Sequence, residues 1–166
     1  MWAEIRILAC LLALSTPAGA ETGLSQPVQL GQATLRILGF DIYTATLNTQ
    51  GAGPFSWERP LSLRLDYARG FTAAELLEGT ESELIRVEGK RPDQPELLAK
   101  LSPCFHDVAA GDHYVAYAPR ADQVEMRLNG RVTCTVSHPD LRRRFLGIWL
   151  SPESRSARLS AQLRGE

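Results

Sequence analysis

The sequence of 166 residues has almost no excess of charge of either sign. It carries 18 basic and 19 acidic side chains, and its one basic cluster is the run Arg142-Arg143-Arg144. A surface that binds nucleic acid needs a larger basic patch than three side chains can form. The composition therefore indicates no nucleic-acid partner, and we interpret the three arginines as the solvated face of a helix.

The sequence also lacks the short motifs that mark common catalytic and metal sites. It contains no G-x-G-x-x-G or P-loop sequence and no serine in a nucleophile elbow. The segment CFHDVAAGDH at 104–113 gathers five side chains that can bind metals, but it shows none of the usual ligand spacings. We interpret Gly111-Asp112 as a turn before a strand, and we expect neither a metal ion nor a cofactor.

An apolar run of eight residues lies near the N-terminus. Arg6 precedes the apolar residues 7–14, and Ala18-Gly19-Ala20 offers the small residues of a signal-peptidase site. The run is too short to cross a bilayer as a stable helix. The pattern predicts a signal peptide at 1–20, cleaved after Ala20, and a periplasmic protein. The alternative is a lipoprotein acylated at Cys10.

Cleavage after Ala20 would leave a single domain over residues 21–166 without a membrane span. This domain has two cysteines, Cys104 and Cys134. An even number of cysteines in an exported protein favours a disulfide. The bridge would close a loop of about thirty residues and stabilise the fold by roughly 3–4 kcal/mol. Two buried free thiols are the alternative.

The first half of the domain changes from strand to helix patterns. Residues 30–49 are rich in β-branched and apolar side chains, and the apolar parity switches near Gly39, which predicts two strands or one bulged strand. Residues 61–67 alternate cleanly and predict a half-buried strand. A capping box at Thr72 begins a helix that ends at Gly89.

The second half begins with a short helix at 95–101 and continues with strands. Two of these strands flank Asn129-Gly130. A two-residue loop there would set Met126 opposite the polar Thr133 and mix the two faces of the sheet. We therefore predict a three-residue loop, with Gly130 in a left-handed conformation and a bulge.

The C-terminal segment predicts two helices. Leu141, Phe145 and Trp149 recur at four-residue spacing, which is typical of a helix face that packs on a core. Ser151 can cap a second helix that has Pro152 at its first position. Trp149 is interpreted mainly as a core residue with the ligand site beneath it, and the alternative is that Trp149 itself lines the ligand pocket.

The order of strands and helices is typical of an α+β domain. Four segments carry a closer resemblance: LGQATLRILGFDIYTATL, PLSLRLDYARGFTAAELLEG, the GD…V…LNG hairpin and FLGIWLSPESR…L…L. Over residues 28–164 the chain resembles the bacterial exported branch of the chalcone isomerase-like proteins. The resemblance implies an open-faced β-sandwich, in which helices cover one large antiparallel sheet and an apolar ligand cleft lies between the two layers.

The resemblance also implies positions for a catalytic site. Plant chalcone isomerases cyclise a chalcone to a flavanone. They use an arginine before the first long strand, a threonine on that strand, a tyrosine and an asparagine on the first long helix, and a hydroxyl residue near the start of the penultimate helix. The positions in this sequence that match or substitute for them are Arg36, Asp41, Ala73, Thr80, and Ser137 or its neighbour His138.

Stabilising a phenolate nucleophile requires a cation and fixed hydrogen-bond donors, and few of these positions supply one. We therefore expect a protein that binds an apolar, fatty-acid-like small molecule without plant-type catalysis. Tyr43, Tyr67 and Trp149 are the candidates for contact with this ligand. Two alternatives stay open: an isomerase or intramolecular lyase with a rearranged active site, and a structural module that binds a protein partner.

Overall fold

A computed structural model describes residues 21–166, so the predicted signal peptide and Cys10 lie outside the described residues. The strands are β1 (Pro27–Ile37), β2 (Phe40–Gln50), β3 (Leu61–Tyr67), β4 (His113–Arg120), β5 (Gln123–Leu128) and β6 (Arg131–Ser137). The helices that follow them are α1 (Ala73–Glu88), α2 (Gln94–Leu101), α3 (Leu141–Leu150) and α4 (Ala157–Arg164). None of the helices in this range is both long and apolar enough to cross a membrane.

The six strands form one sheet in which spatial order follows chain order, and each neighbouring pair is antiparallel. Helices α1, α3 and α4 pack against one face. The register aligns Leu47, Leu63, Ala116 and Met126 across four strands of that face. All four are buried. This arrangement confirms the expected α+β fold, a large antiparallel sheet covered by helices.

The irregularity expected near Gly39 is a tight turn between two strands. Leu38 and Gly39 have φ values of 51° and 84° and connect β1 to β2. Two positive φ values are typical of the type I′ turn that suits the twist of a hairpin. A shift of register between Leu35 and Arg36 adds a bulge just before the turn, so the chain combines the two alternatives.

The β5–β6 hairpin corrects one prediction. Its loop has two residues, Asn129 and Gly130, with φ values of 49° and 80°. The predicted three-residue loop is therefore wrong. A bulge at Thr133 shifts the parity within the strand instead, and Met126 lies opposite Cys134. The apolar partner expected for Met126 is thus confirmed, because a bulge changes parity in the same way as an odd loop does.

The α1 boundaries follow the sequence closely. The Thr72 hydroxyl accepts a hydrogen bond from the backbone N–H of Glu75, and the Glu75 carboxylate accepts one from the backbone N–H of Thr72. Gly89 follows the last helical residue with a φ of 72°. The capping box and the glycine stop are therefore confirmed.

The second C-terminal helix begins later than the sequence indicates. The Ser151 hydroxyl accepts a hydrogen bond from the backbone N–H of Glu153, but the turn does not continue into a helix. Helix α4 starts at Ala157, with Ser156 as its capping residue. A single turn gains little because helix nucleation is unfavourable. Residues 151–156 form instead a connection that passes over one end of the helical layer.

Helix α4 lies directly against β1 at a glycine. A Cβ atom at Gly31 would lie 2.1 Å from the backbone oxygen of Gln162 and 2.6 Å from that of Leu163. The Gln162 side chain also donates a hydrogen bond of 2.8 Å to the backbone oxygen of Gln32. Only glycine allows the helix backbone to approach the strand this closely.

The predicted disulfide is present between Cys104 and Cys134. It joins the short 3₁₀ turn Ser102–Cys104, which follows α2, to strand β6. The two Cα atoms are 5.1 Å apart and the cysteines are separated by 30 residues. The bridge fastens the helical layer to the far edge of the sheet.

The polar segment before β1 lies on the open face of the sheet. Leu24 is buried, and Gly23 lies against the ring of Tyr117. The Glu21 carboxylate accepts a hydrogen bond of 2.8 Å from Arg64. Hydrogen bonds of Ser25 and Gln26 with the Gln50 side chain add to these contacts, and together they order a segment whose composition indicates a loop.

The arginine run corrects the interpretation of a solvated helix face. Arg142 and Arg144 are each 4% exposed, and only Arg143 is exposed. Arg142 donates a hydrogen bond of 2.7 Å to the backbone oxygen of Trp57. Alternate residues point to opposite sides of a helix. Both are covered because α3 lies at the centre of the helical layer.

Arg144 joins three helices. Its guanidinium donates hydrogen bonds of 2.8 and 2.9 Å to Glu88 at the end of α1 and of 2.7 Å to Asp93 before α2. His138, just before α3, lies 3.0 Å from the same Asp93 carboxylate. A buried arginine paired with two carboxylates holds these helix ends together.

Replacing Arg144 with methionine should lower the free energy of unfolding by about 3 kcal/mol, because the carboxylates that it binds would lose their counter-charge. The matched substitution Arg143→Met should change it by no more than about 0.5 kcal/mol, because that side chain is exposed. Urea denaturation of both variants measures the difference. Equal losses would contradict the central role of Arg144.

Stability should also fall in acid. Hydrogen bonds from His138 and Arg144 hold the pKa of Asp93 at about 2, below its usual 3.8. A carboxyl group whose pKa is depressed by folding stabilises the fold above its unfolded pKa, and this contribution is lost as the pH falls through the folded value. Urea midpoints should therefore drop between about pH 4 and about pH 2. Asp93→Asn should reduce that dependence, and an unchanged profile would contradict the assignment.

Candidate ligand cavity

A cavity of about 260 Å³ lies between the sheet and the helices. Its floor is formed mainly by apolar residues of β1 to β5, and its roof by α1, α3, α4 and the 151–156 connection. Most of its lining is apolar. Characteristic lining residues are Ala33, Ala45 and Leu65 of the floor, and Leu76, Phe145 and Ile148 of the roof.

The cavity is open because several of these positions carry little or no side chain. Ala33 and Ala45 lie opposite each other in β1 and β2. Gly79 of α1 also lines the space, and a Cβ atom there would meet nothing within 4 Å. Larger side chains at these points would fill the space, so the volume is set by residue size rather than by a gap between layers.

All three residues expected to contact a ligand line the cavity: Tyr43, Tyr67 and Trp149. The Trp149 indole N–H donates a hydrogen bond of 3.1 Å to the Tyr43 hydroxyl. Trp149 also packs edge-on against Phe145, with ring centroids 5.6 Å apart. It is therefore a core residue and a cavity residue at once, because it packs against the core and also lines the space.

The Tyr43 hydroxyl keeps its own proton to donate. Burial raises the pKa of Tyr43 to about 12, against a smaller lowering by the hydrogen bond from Trp149. The phenol is therefore neutral across the physiological pH range. Since Trp149 occupies it as an acceptor, its O–H remains a donor for a group inside the cavity.

Tyr67 presents a second phenol, and this one lacks a protein partner. Its side chain is 7% exposed, and its ring lies edge-on to Tyr43, Phe71 and Tyr114 at centroid distances of 6.3, 5.8 and 6.5 Å. Among residues 21–166, no group forms a hydrogen bond with its hydroxyl. Burial raises the pKa of Tyr67. The Tyr67 oxygen is not among the buried partnerless polar atoms of this range, so the hydroxyl is accessible and can donate a hydrogen bond to a polar ligand atom in the cavity.

Charged side chains lie at the rim. The Arg155 guanidinium donates two hydrogen bonds, of 2.5 and 3.0 Å, to one carboxylate oxygen of Glu83. Arg86 donates a hydrogen bond of 3.1 Å to the other oxygen. Two guanidiniums thus share one carboxylate, so this cluster of three side chains carries one positive charge in excess. Arg155 and Glu83 line the cavity, whereas Arg86 is not among the lining residues. Electrostatically, the cluster complements a single anionic head group.

Glu75 also lines the cavity, but its carboxylate is used locally. It accepts hydrogen bonds from the backbone N–H and the hydroxyl of Thr72, at 2.7 and 3.0 Å. The hydrogen bonds from Thr72 lower the pKa of Glu75. It therefore caps α1 as an anion and is unsuited to proton transfer at neutral pH.

The weak catalytic candidates lie in separate places. Arg36 and Asp41 pair with each other on the β1–β2 hairpin, where both side chains are at least half exposed. Thr80 lines the cavity, but its hydroxyl donates to the backbone oxygen of Leu76 at 2.8 Å. Ser137 is exposed at the end of β6. The structure does not bring these four together around one point.

The other positions implied by the resemblance have structural contacts. The backbone N–H of Ala73 donates a hydrogen bond of 2.8 Å to Asp107, and His138 is buried beside Asp93.

In the segment 104–113, which has five side chains that can bind metals, the Asp112 carboxylate accepts a hydrogen bond of 2.7 Å from the backbone N–H of Ala109. In residues 21–166, no three histidine, cysteine or acidic side chains are grouped as a metal ion would require.

Sequence reasoning missed the rim cluster of Glu83, Arg86 and Arg155. Glu83 and Arg86 are three residues apart on α1, which reads as an ordinary surface ion pair. Arg155 lies in a segment assigned to the last helix, and its partner is 72 residues away in the chain. Nothing in the local pattern indicates that pairing.

Neither a family model nor a curated protein matches this sequence. Among solved structures, the chain is similar to a fatty-acid binding protein of Arabidopsis thaliana, with a TM-score of 0.67 and 13% sequence identity. The similarity covers 85% of this chain and 88% of that chain. The fold is chalcone isomerase-like. At this identity the similarity establishes the architecture, which confirms the fold expected from the sequence.

Tyr67 and Tyr114 both line the cavity, but removal of the hydroxyl should change the stability of the protein differently at the two positions. Tyr67→Phe removes a group without a protein partner and should leave stability unchanged or raise it by up to about 1 kcal/mol. Tyr114→Phe should lower it by about 1–2 kcal/mol, because the Tyr114 hydroxyl accepts from His106 and donates to the backbone oxygen of Cys104. Thermal and urea denaturation compare the two. A large loss in Tyr67→Phe would show that its hydroxyl is already satisfied.

Proposed function

We propose that the protein binds an elongated anionic amphiphile, a fatty acid or a close analogue, and acts as a carrier or accessory protein without plant-type catalysis. The observation that carries the proposal is an apolar cavity lined by the phenol of Tyr67, whose hydroxyl forms no hydrogen bond with another residue of the range 21–166. The similar fold of a fatty-acid binding protein supports the same class of ligand.

The apolar tail of the ligand would fill the cavity. The floor and the roof present alkyl and aromatic side chains, so burial of methylene groups is favourable by about 0.8 kcal/mol each. A protein-binding module whose cleft is closed by its own side chains would have no comparable space. The cavity therefore favours a small-molecule ligand over a purely structural role.

The head group would lie at the rim, between the phenols and the rim cluster. Tyr43 and Tyr67 can each donate a hydrogen bond, and Arg155 supplies the nearest cation among the lining residues. The carboxylate of a fatty acid accepts such bonds from several donors at once. It would also balance the excess positive charge of the Glu83, Arg86 and Arg155 cluster.

The separation of the catalytic candidates favours binding over isomerisation. Conjugate addition needs a base, a cation and oxyanion donors directed at one substrate. Arg36 and Asp41 satisfy each other outside the cavity, and the Thr80 hydroxyl is used by its own helix. The phenols that do reach the cavity are kept neutral by burial, which suits hydrogen bonding to a ligand.

Export to the periplasm, as in the bacterial exported branch of the chalcone isomerase-like proteins, is part of the proposal. It is supported by the N-terminal sequence and by the disulfide between Cys104 and Cys134, which is stable in oxidising compartments. In that setting the protein would hold an insoluble amphiphile in water.

Palmitate binding tests the proposal. Isothermal titration of lipid-free protein should show one site, and Arg155→Gln should weaken palmitate binding by about tenfold or more through loss of a charge-assisted contact. The same substitution should leave the affinity for palmityl alcohol unchanged, because the alcohol has no charge. Arg158→Gln, on the exposed side of α4, serves as the matched control and should bind both ligands normally.

A second variant tests the location. Gly79→Phe should place a ring in the cavity and weaken the binding of both ligands. The substitution should not destabilise α1, because glycine is unfavourable inside a helix. Native mass spectrometry of the same proteins gives the stoichiometry. Palmitate binding that survives Gly79→Phe unchanged would place the ligand elsewhere, and no binding of either ligand by the unmodified protein would overturn the proposal.

A further inference from the structure

The β1–β2 hairpin ends in a cluster of exposed apolar side chains. We call residues 37–40, Ile37-Leu38-Gly39-Phe40, the hairpin tip. Leu38 is 93% exposed, Phe40 74% and Ile37 41%. Ile37 and Phe40 are the last cross-strand pair of the hairpin, so their side chains lie on the same side of the ribbon. These apolar groups therefore form one continuous patch.

The fold gains nothing from Leu38. Its side chain lies in solvent, and its φ of 51° is in the left-handed region, which asparagine and glycine adopt more readily than leucine. A polar turn residue would serve the hairpin better on both counts. Packing within the described residues therefore does not explain the leucine.

The hairpin tip adjoins the cavity. Ile37 belongs to the tip and also lines the cavity. Leu35 and Ile42, which flank the tip in the chain, line the cavity as well. A path of apolar side chains thus runs from the exposed tip to the space between sheet and helices. This continuity links whatever the tip contacts to the ligand site.

The charges next to the tip cancel. The Arg36 side chain donates a hydrogen bond to Asp41 at 2.5 Å across the base of the turn. The tip therefore combines an apolar end with a neutral base. Such a surface gains little from an anionic partner, and its contact should depend on apolar burial and only weakly on salt.

We propose that the hairpin tip inserts into the surface of a lipid bilayer and that the amphiphile passes along it between the membrane and the cavity. The insertion stands on the exposed tip itself, whereas the passage of ligand rests on the proposed function. A narrow tip of three side chains falls well short of the roughly 800 Å² that each partner of a stable protein complex buries. It does match the shallow depth of the interfacial region of a bilayer.

Tryptophan fluorescence measures the insertion directly. Phe40→Trp keeps the tip apolar and places a reporter in it, and tryptophan favours the membrane interface. The chain beginning at Glu21 is used, because it holds the whole described core and omits the apolar run at 7–14. Spectra are taken as differences from the parent protein, with phosphatidylcholine vesicles that contain brominated acyl chains as quencher.

The emission of the Phe40→Trp protein should shift to shorter wavelength and be quenched by the brominated lipid, with little change between low and high salt. Adding Leu38→Asn should lower vesicle partitioning by about tenfold or more. Asparagine is compatible with the left-handed backbone, so this variant should fold at least as well as the parent. Val28→Trp, at the other end of β1, is the matched control and should not be quenched.

The outcomes separate the two proposals. Quenching of the tip reporter without palmitate binding would support the insertion and overturn the carrier function. Palmitate binding with an unquenched tip reporter would overturn the insertion alone. A tip signal that changes with protein concentration in the absence of lipid would assign the tip to a second copy of the chain and would also overturn the insertion.

Discussion

The buried guanidinium of Arg144 is the contact on which the helical layer depends. It binds Glu88 at the end of α1 and Asp93 before α2 while lying on α3, and the Asp93 carboxylate also contacts His138. These groups are costly to bury singly, so they constrain the helix ends to one arrangement. The position of α1 and α3 over the sheet follows from it, and with it the roof of the cavity.

The cavity is the second consequence of that arrangement. Arg144 and the disulfide hold the helices α1, α2 and α3 in place. Helix α4 lies directly against β1 at Gly31. Between these fixed points the facing residues are small, Ala33 and Ala45 on the sheet and Gly79 on α1. An apolar space is left open rather than closed by collapse, because the surrounding contacts resist relaxation. The two phenols and the rim cluster then give that space a polar end.

The candidate site was predictable from the sequence only in part. Tyr43 and Tyr67 were predictable as amphipathic residues on strands, but the register of β2 with β3 is what places them side by side on one face. Trp149 followed from helical spacing. Arg155 could not be inferred, since its partner Glu83 is distant in the chain and the sequence predicts a helix for the connection that carries it. The burial of Arg142 and Arg144 could not be predicted for a related reason. A run of three charged residues does not show how many sides of its helix other elements cover.

The sequence by itself determined the elements of this protein: the alternating strands, the capping box at Thr72, the stop at Gly89, the pair of cysteines and the α+β class. These depend on local backbone preference and on the period of apolar residues, which neighbouring residues set. The tertiary structure alone decided the two-residue turn with a bulge at Thr133, the late start of α4, the burial of Arg142 and Arg144, and the open cavity. Each of these depends on contacts between residues far apart in the chain, and their free energies are settled only when the helices and the sheet pack together.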